Sequence, residues 1–235
     1  MSTFLEINKE AIRKLLEEQA NKIDKKPLFF SILTQYQGLQ FLLSEYSKND
    51  KPIKLTCGQE TLLALLKSNK RLLVHKDRQV GESLTMALYL ALECYYENKD
   101  IIIIAPTLKI GYHLLEEIKL MLTIITNKNN EIENFRTNKA TVYLNGRTKI
   151  IVLPSNPTTF CSFSPDIIYF TEAAYIENLS EMLESANFAL KENGQIIMSS
   201  TSGQYNLFQE LLEDENPSNP FTKFQMKNPE NVIVR

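Results

Sequence analysis

Leu72, Leu73 and Val74 form a short apolar stretch, a polar loop runs from His75 to Ser83, and an apolar run with helical character follows from Leu84 to Cys94. A strand that feeds a helix through one short loop belongs to α/β architecture. The loop places a single glycine, Gly81, at the start of the helix. Backbone N–H groups at such a junction have no intrahelical partner and can cradle an anion, phosphate above all. Loops of this kind usually carry a lysine directly after the glycine to neutralise charge, then a hydroxyl to hold Mg²⁺. Gly81 and Ser83 stand in the expected places, but Glu82 stands where the lysine belongs. That carboxylate is expected to face any bound polyphosphate and to repel it by several kcal/mol.

The rest of the chain extends the α/β reading. Ile101 to Ala105 is an unbroken apolar, β-branched run, as in a strand buried on both faces. Ile167 to Phe170 and Gln195 to Ser199 read as further buried strands, and Thr141 to Leu144 and Lys149 to Leu153 flank an Asn145-Gly146 hairpin signal. Helices are expected at 59–68, 83–98, 110–125, 179–190 and 205–213. Residues 3–47 also carry helical spacing, and Asn49, Asp50 and Pro52 mark a break. The expected organisation is an N-terminal helical subdomain at 1–50, an α/β domain at 51–215, and a proline- and asparagine-rich linker or tail at 216–235. A net charge of −2 supplies no global field for nucleic acid, so any DNA contact depends on a local patch. Cys57, Cys94 and Cys161 are widely spaced and odd in number, which predicts buried thiols in a reducing compartment. No apolar run is long enough to cross a membrane, and no signal-peptide core is visible.

Taken in order, these motifs resemble the ATPase domain of the terminase large subunit, the DNA-packaging motor of tailed phages and herpesviruses. The likeness spans roughly residues 55–212. Arg78-Gln79-Val80-Gly81-x-Ser83 resembles the family's R-Q-x-G-K-[ST] loop. Pro165 to Ile176 resembles the strand that ends in D-E-A, and Ile196 to Gly203 resembles the segment that couples nucleotide state to movement. The fold this implies is a three-layer α/β P-loop NTPase of the ASCE type, with a mostly parallel central sheet and an N-terminal helical appendage.

The resemblance also implies roles. Arg78 would stabilise γ-phosphate charge in cis, and Glu172 would polarise the attacking water. Gln79, Gly81 and Ser83 would form the phosphate loop, with Ser83 on Mg²⁺. Gln59 would read the adenine, and Thr201 would sense the γ-phosphate. Lys76 occupies the loop's first position, where some terminases keep their phosphate lysine. Thr171 stands where the family has the aspartate that holds Mg²⁺ through water; a neutral hydroxyl lowers metal affinity there. Read as bare residues, Lys76 and Arg78 are equally surface charges at a strand end, Ser83 a helix cap, and Gln59 a polar residue at a helix start. The implied cofactors are ATP and Mg²⁺. The implied partners are double-stranded DNA, the portal and the small terminase subunit, with a homo-oligomeric ring in the host cytoplasm and no membrane. Nothing after residue 216 offers the acidic metal ligands of a nuclease, so no DNA cleavage is expected of this polypeptide. Because the loop lysine and the strand-end aspartate are both replaced, a second reading stands beside the motor. It is a catalytically degenerate terminase-like protein that keeps the fold and serves as a binding or regulatory subunit. A helicase-like translocase with an altered loop is a third.

Overall fold

A computed structural model of the chain describes residues 55–128, 135–144, 146, 148–203 and 205–228. The expected helices of residues 1–50 lie outside the described residues. Two compact units divide the chain, residues 1–64 and 65–235. Within the first, residues 55–64 open helix α1 (Cys57–Ser68). Its start is fixed by a reciprocal cap. Gln59 N–H donates to Thr56 Oγ1 at 3.3 Å, and Thr56 N–H donates to Gln59 Oε1 at 2.8 Å. Each side chain satisfies an amide that the first helical turn leaves without a partner.

The second unit alternates strands and helices: β1 (Arg71–Lys76), α2 (Glu82–Tyr96), β2 (Ile101–Ile104), α3 (Leu108–Lys128), β3 (Phe135–Thr137), β4 (Thr141–Leu144), β5 (Thr148–Leu153), β6 (Ile167–Thr171), α4 (Leu179–Ala189), β7 (Gln195–Ser200), α5 (Leu207–Glu213) and β8 (Thr222–Met226). One eight-stranded sheet gathers the strands in the order β3-β4-β5-β2-β6-β7-β1-β8. From β5 to β8 every neighbouring pair is parallel; β3 and β4 add an antiparallel edge. The hairpin expected around Gly146 joins β4 to β5, with Leu144 opposite Thr148.

Strands of two-sided burial favour apolar residues throughout, as in β2 and in β6 from Ile167 to Phe170, and every residue of both strands is buried. Leu73, Ile102, Ile104, Ile168, Phe170, Ile196 and Met198 belong to one core cluster with Leu179, Met182 and Ala186 of α4 and Phe208 of α5. By the two-residue alternation of strands, Tyr169 faces the other way, and its phenol reaches α2.

Two expectations are corrected. The segment 216–235 is not simply a linker, because Thr222–Met226 pairs in parallel with β1 along Leu72 to Lys76. The sequence before it, Asn216-Pro-Ser-Asn-Pro, forms the turn that delivers the strand, with Asn216 N–H on Asp214 Oδ1 and Phe221 N–H on Asn219 Oδ1. Cys161 is exposed on a short 3₁₀ turn (Pro157–Ser162) and is not a buried thiol; Cys94 is buried and Cys57 partly so.

Candidate functional site

Parallel α/β sheets collect ligands outside the carboxyl ends of their strands, where the order of connection reverses. β1 and β2 are consecutive in sequence but separated in the sheet by β7 and β6. A cleft of about 630 Å³ opens at that point. Lys76 ends β1 in it, and residues 77–83 form its loop wall; Pro106 and Ile110 follow β2, Glu172 and Tyr175 follow β6, and Thr201 follows β7.

The loop has the backbone its task requires. Gly81 caps α2 in the left-handed region (φ 77°), which glycine enters without penalty. Gln79 and Glu172 adopt the same region at φ 62° and 51° without being glycine. Such residues store about 1–3 kcal/mol each and cluster at functional sites. Asp77 anchors the loop's first turn to the end of β8. Its N–H donates to the Met226 carbonyl at 2.9 Å, and its Oδ2 accepts from Asn228 N–H at 2.9 Å.

Below the loop lies a buried polar network. Lys76 Nζ pairs with Glu82 Oε2 at 2.7 Å and with Glu172 Oε1 at 3.0 Å. The phenol of Tyr169 donates to Glu82 Oε1 at 2.7 Å and shares a second 2.7 Å bond with Ser199 Oγ. Ser200 Oγ donates to Glu172 Oε2 at 3.4 Å. Burial alone pushes the Lys76 ammonium's pKa down, but the paired carboxylates of Glu82 and then Glu172 outweigh it, and the net shift is upward. Burial first, and the Glu82 charge second, hold the Tyr169 phenol well above its ordinary pKa. Both are therefore protonated through the physiological range: Lys76 is a fixed cation and Tyr169 a fixed donor.

Glu82 consequently does not do what its place in the loop suggests. It is 2 % exposed, and both carboxylate oxygens are held, one by Lys76 and one by Tyr169. The charge expected to face a polyphosphate is neutralised from the loop's first position. Of the candidate residues, Lys76, Arg78, Gln79, Gly81, Ser83, Glu172 and Thr201 meet in the cleft. Arg78 is exposed there and has no hydrogen bond or ion pair to any described residue. Ser83 is exposed at the second position of α2; the cap itself is Gly81. Thr171 is buried at the end of β6 and does not line the cleft. Gln59 belongs to the first unit, where its amide is engaged in the α1 cap.

Tyr169 and Tyr175 were not foreseen. Tyr175 is held over the cleft by its phenol, which donates to the Ser202 carbonyl at 2.8 Å. A signal for Tyr169 does exist in the sequence: it is the polar-tipped residue of the apolar run Ile167 to Phe170, and a serine-rich strand end follows at 199–201.

No family model matches the chain, and no curated protein matches it. Solved structures do. The large terminase ATPase domain of Thermus phage P74-26 superimposes with a TM-score of 0.57 at 15% identity, covering 80% of this chain and 84% of that one. The bacteriophage HK97 large terminase gives 0.63 at 12% identity over 83% of this chain and 44% of that one. The large terminase of the thermophilic bacteriophage D6E gives 0.57 at 9% identity, over 78% and 48%. At these identities the likeness establishes the fold: a mixed α/β domain with the mostly parallel sheet of phage large terminase ATPase domains.

Proposed function

We propose that this chain is a terminase-type ATPase domain. It binds ATP in the cleft at the carboxyl ends of β1, β6 and β7, and couples hydrolysis to movement of double-stranded viral DNA. One observation carries the reading: the loop at 76–83, Glu172 and Thr201, drawn from separate strands, converge on a single cleft. Arg78 braces the terminal phosphate from the exposed loop, and Lys76 supplies the buried positive charge. Glu172 orients the attacking water as general base. A change in bound phosphate reaches β7 through Glu172, whose other oxygen accepts from Ser200. Partners in this reading are DNA, a portal, a small terminase subunit and further copies of the chain in a ring, in the host cytoplasm. Among the described residues no helix is long and apolar enough to cross a membrane.

Mg²⁺, which phosphoryl transfer normally uses, is poorly served by these residues. Thr171 is buried and does not line the cleft, Glu172 is paired with Lys76, and Ser83 is the remaining hydroxyl on the loop. The donor set does not fit a metal site. That mismatch, with the pairing of Lys76, favours a second reading, in which the fold is kept as a binding or regulatory subunit without turnover. Calorimetry with ATP and a phosphate-release assay on the full chain decide between them. The motor reading expects micromolar binding and turnover that Glu172→Gln and Lys76→Ala each reduce at least tenfold. No binding up to millimolar ATP sinks it in favour of the second.

A further inference from the structure

Lys76 is the buried cation of the cleft, and its ammonium is committed before any ligand arrives. Two of its three donors are taken by Glu82 and Glu172, at 2.7 and 3.0 Å. Glu82 is itself locked in place by Tyr169, which Ser199 holds in turn. We propose that Glu82 is an internal ligand of Lys76, occupying with its own carboxylate the cation that an incoming phosphate oxygen would meet, so that an anion in the cleft gains Lys76 only in competition with this pair.

This rests on the reading of the cleft as a phosphate site. Carboxylate and phosphate oxygens accept charge-assisted hydrogen bonds from an ammonium with the same geometry, so the two compete for the same donors. The competition favours the incumbent. An arriving anion must break the 2.7 Å pair and leave a carboxylate without its cation where only 2 % of the residue meets solvent. Arg78, exposed and without a partner among the described residues, is the group that makes first contact. Exchange at Lys76 follows as a separate step. Because Glu82 is tied through Tyr169 to Ser199, that exchange also loosens the end of β7.

The test is calorimetric titration of the full chain with inorganic pyrophosphate, without metal. Glu82→Gln keeps the side-chain shape and removes its charge; it is expected to bind pyrophosphate at least tenfold more tightly than the unmodified chain. Lys76→Met in the same background is expected to abolish that gain. Equal or weaker binding by Glu82→Gln overturns the proposal. A measurement on the unmodified chain does not depend on either variant folding. With lysine labelled by ¹⁵N, a slowly exchanging Lys76 ammonium signal is expected in anion-free buffer; an ammonium as labile as those of exposed lysines overturns the proposal. ATP separates the two ideas. If Glu82→Gln gains pyrophosphate binding but neither form takes ATP, the nucleotide reading falls and the internal ligand stands. If both forms bind and turn over ATP equally, the reverse holds.

Discussion

Lys76 stands between two carboxylates, and its removal strands both. Breaking a buried pair by deleting one partner costs about 3–5 kcal/mol, whereas neutralising both partners together is often close to neutral. Lys76→Met is therefore expected to lose about that much in urea unfolding, and Lys76→Met with Glu82→Gln to recover most of it. If the double variant is as unstable as the single one, the charge on Glu82 is not what Lys76 offsets. Tyr169→Phe withdraws one hydrogen from Glu82 Oε1 and one partner from Ser199; an expected loss of about 1–3 kcal/mol follows from leaving buried acceptors unpaired. These two residues also show the limit of sequence reasoning. The places of Gly81 and Ser83 at the head of a helix, and of Glu172 just past a strand, are legible because each depends on spacing within its own segment. The fate of Glu82 is not, because it depends on Tyr169, eighty-seven positions away and brought near by the strand order. A tyrosine inside an apolar run reads as packing until its register is known.

The elements that the sequence announced are those with one unmistakable period. Four consecutive β-branched isoleucines in β2 and the short apolar run of β6 read as strands buried on both faces. β8 escaped because its residues, Thr-Lys-Phe-Gln-Met, mix polar and apolar side chains, as suits an edge, and follow two prolines that signal irregular chain. β3 is three residues long, too short to carry a period. Packing between elements is equally invisible in one dimension. Gly111 on α3 has no side chain because a Cβ there would collide with Val152 Cγ1 of β5. Gly111→Ala, a substitution that raises helix propensity, is nonetheless expected to destabilise by about 1–3 kcal/mol through overpacking. The check is a lowered urea midpoint at unchanged m-value; a raised midpoint means that α3 shifts freely over β5.

Across the whole molecule, several buried protons point the same way in pH. Burial, helped by the Asp100 charge, pushes the Cys94 thiol up to about 12 from an ordinary value of 9.0. Burial also raises Tyr89 and Tyr169, and carboxylates raise Lys76. Each group keeps its proton in the folded chain at a pH where the unfolded chain has released it. Stability is therefore intact below about pH 9 and falls as pH rises toward 12, by about 1.4 kcal/mol per pH unit for each such group. Cys94 begins the decline. Cys94→Ala is expected to flatten the stability profile between pH 9 and 10, measured by urea unfolding across pH; an unchanged slope would show that the thiol ionises as easily folded as unfolded. The clasp between the end of β8 and the loop works at this scale too. Asp77 holds both Met226 and Asn228, so the chain leaving the sheet is fastened to the residue that follows Lys76 in the loop. Since β8 lies parallel to β1, tension applied to the chain beyond residue 228 loads the hydrogen bonds along Leu72 to Lys76 in shear, all at once. A tug on that segment is felt at Asp77, next to the lysine: the strand is a drawstring whose knot sits at the mouth of the cleft.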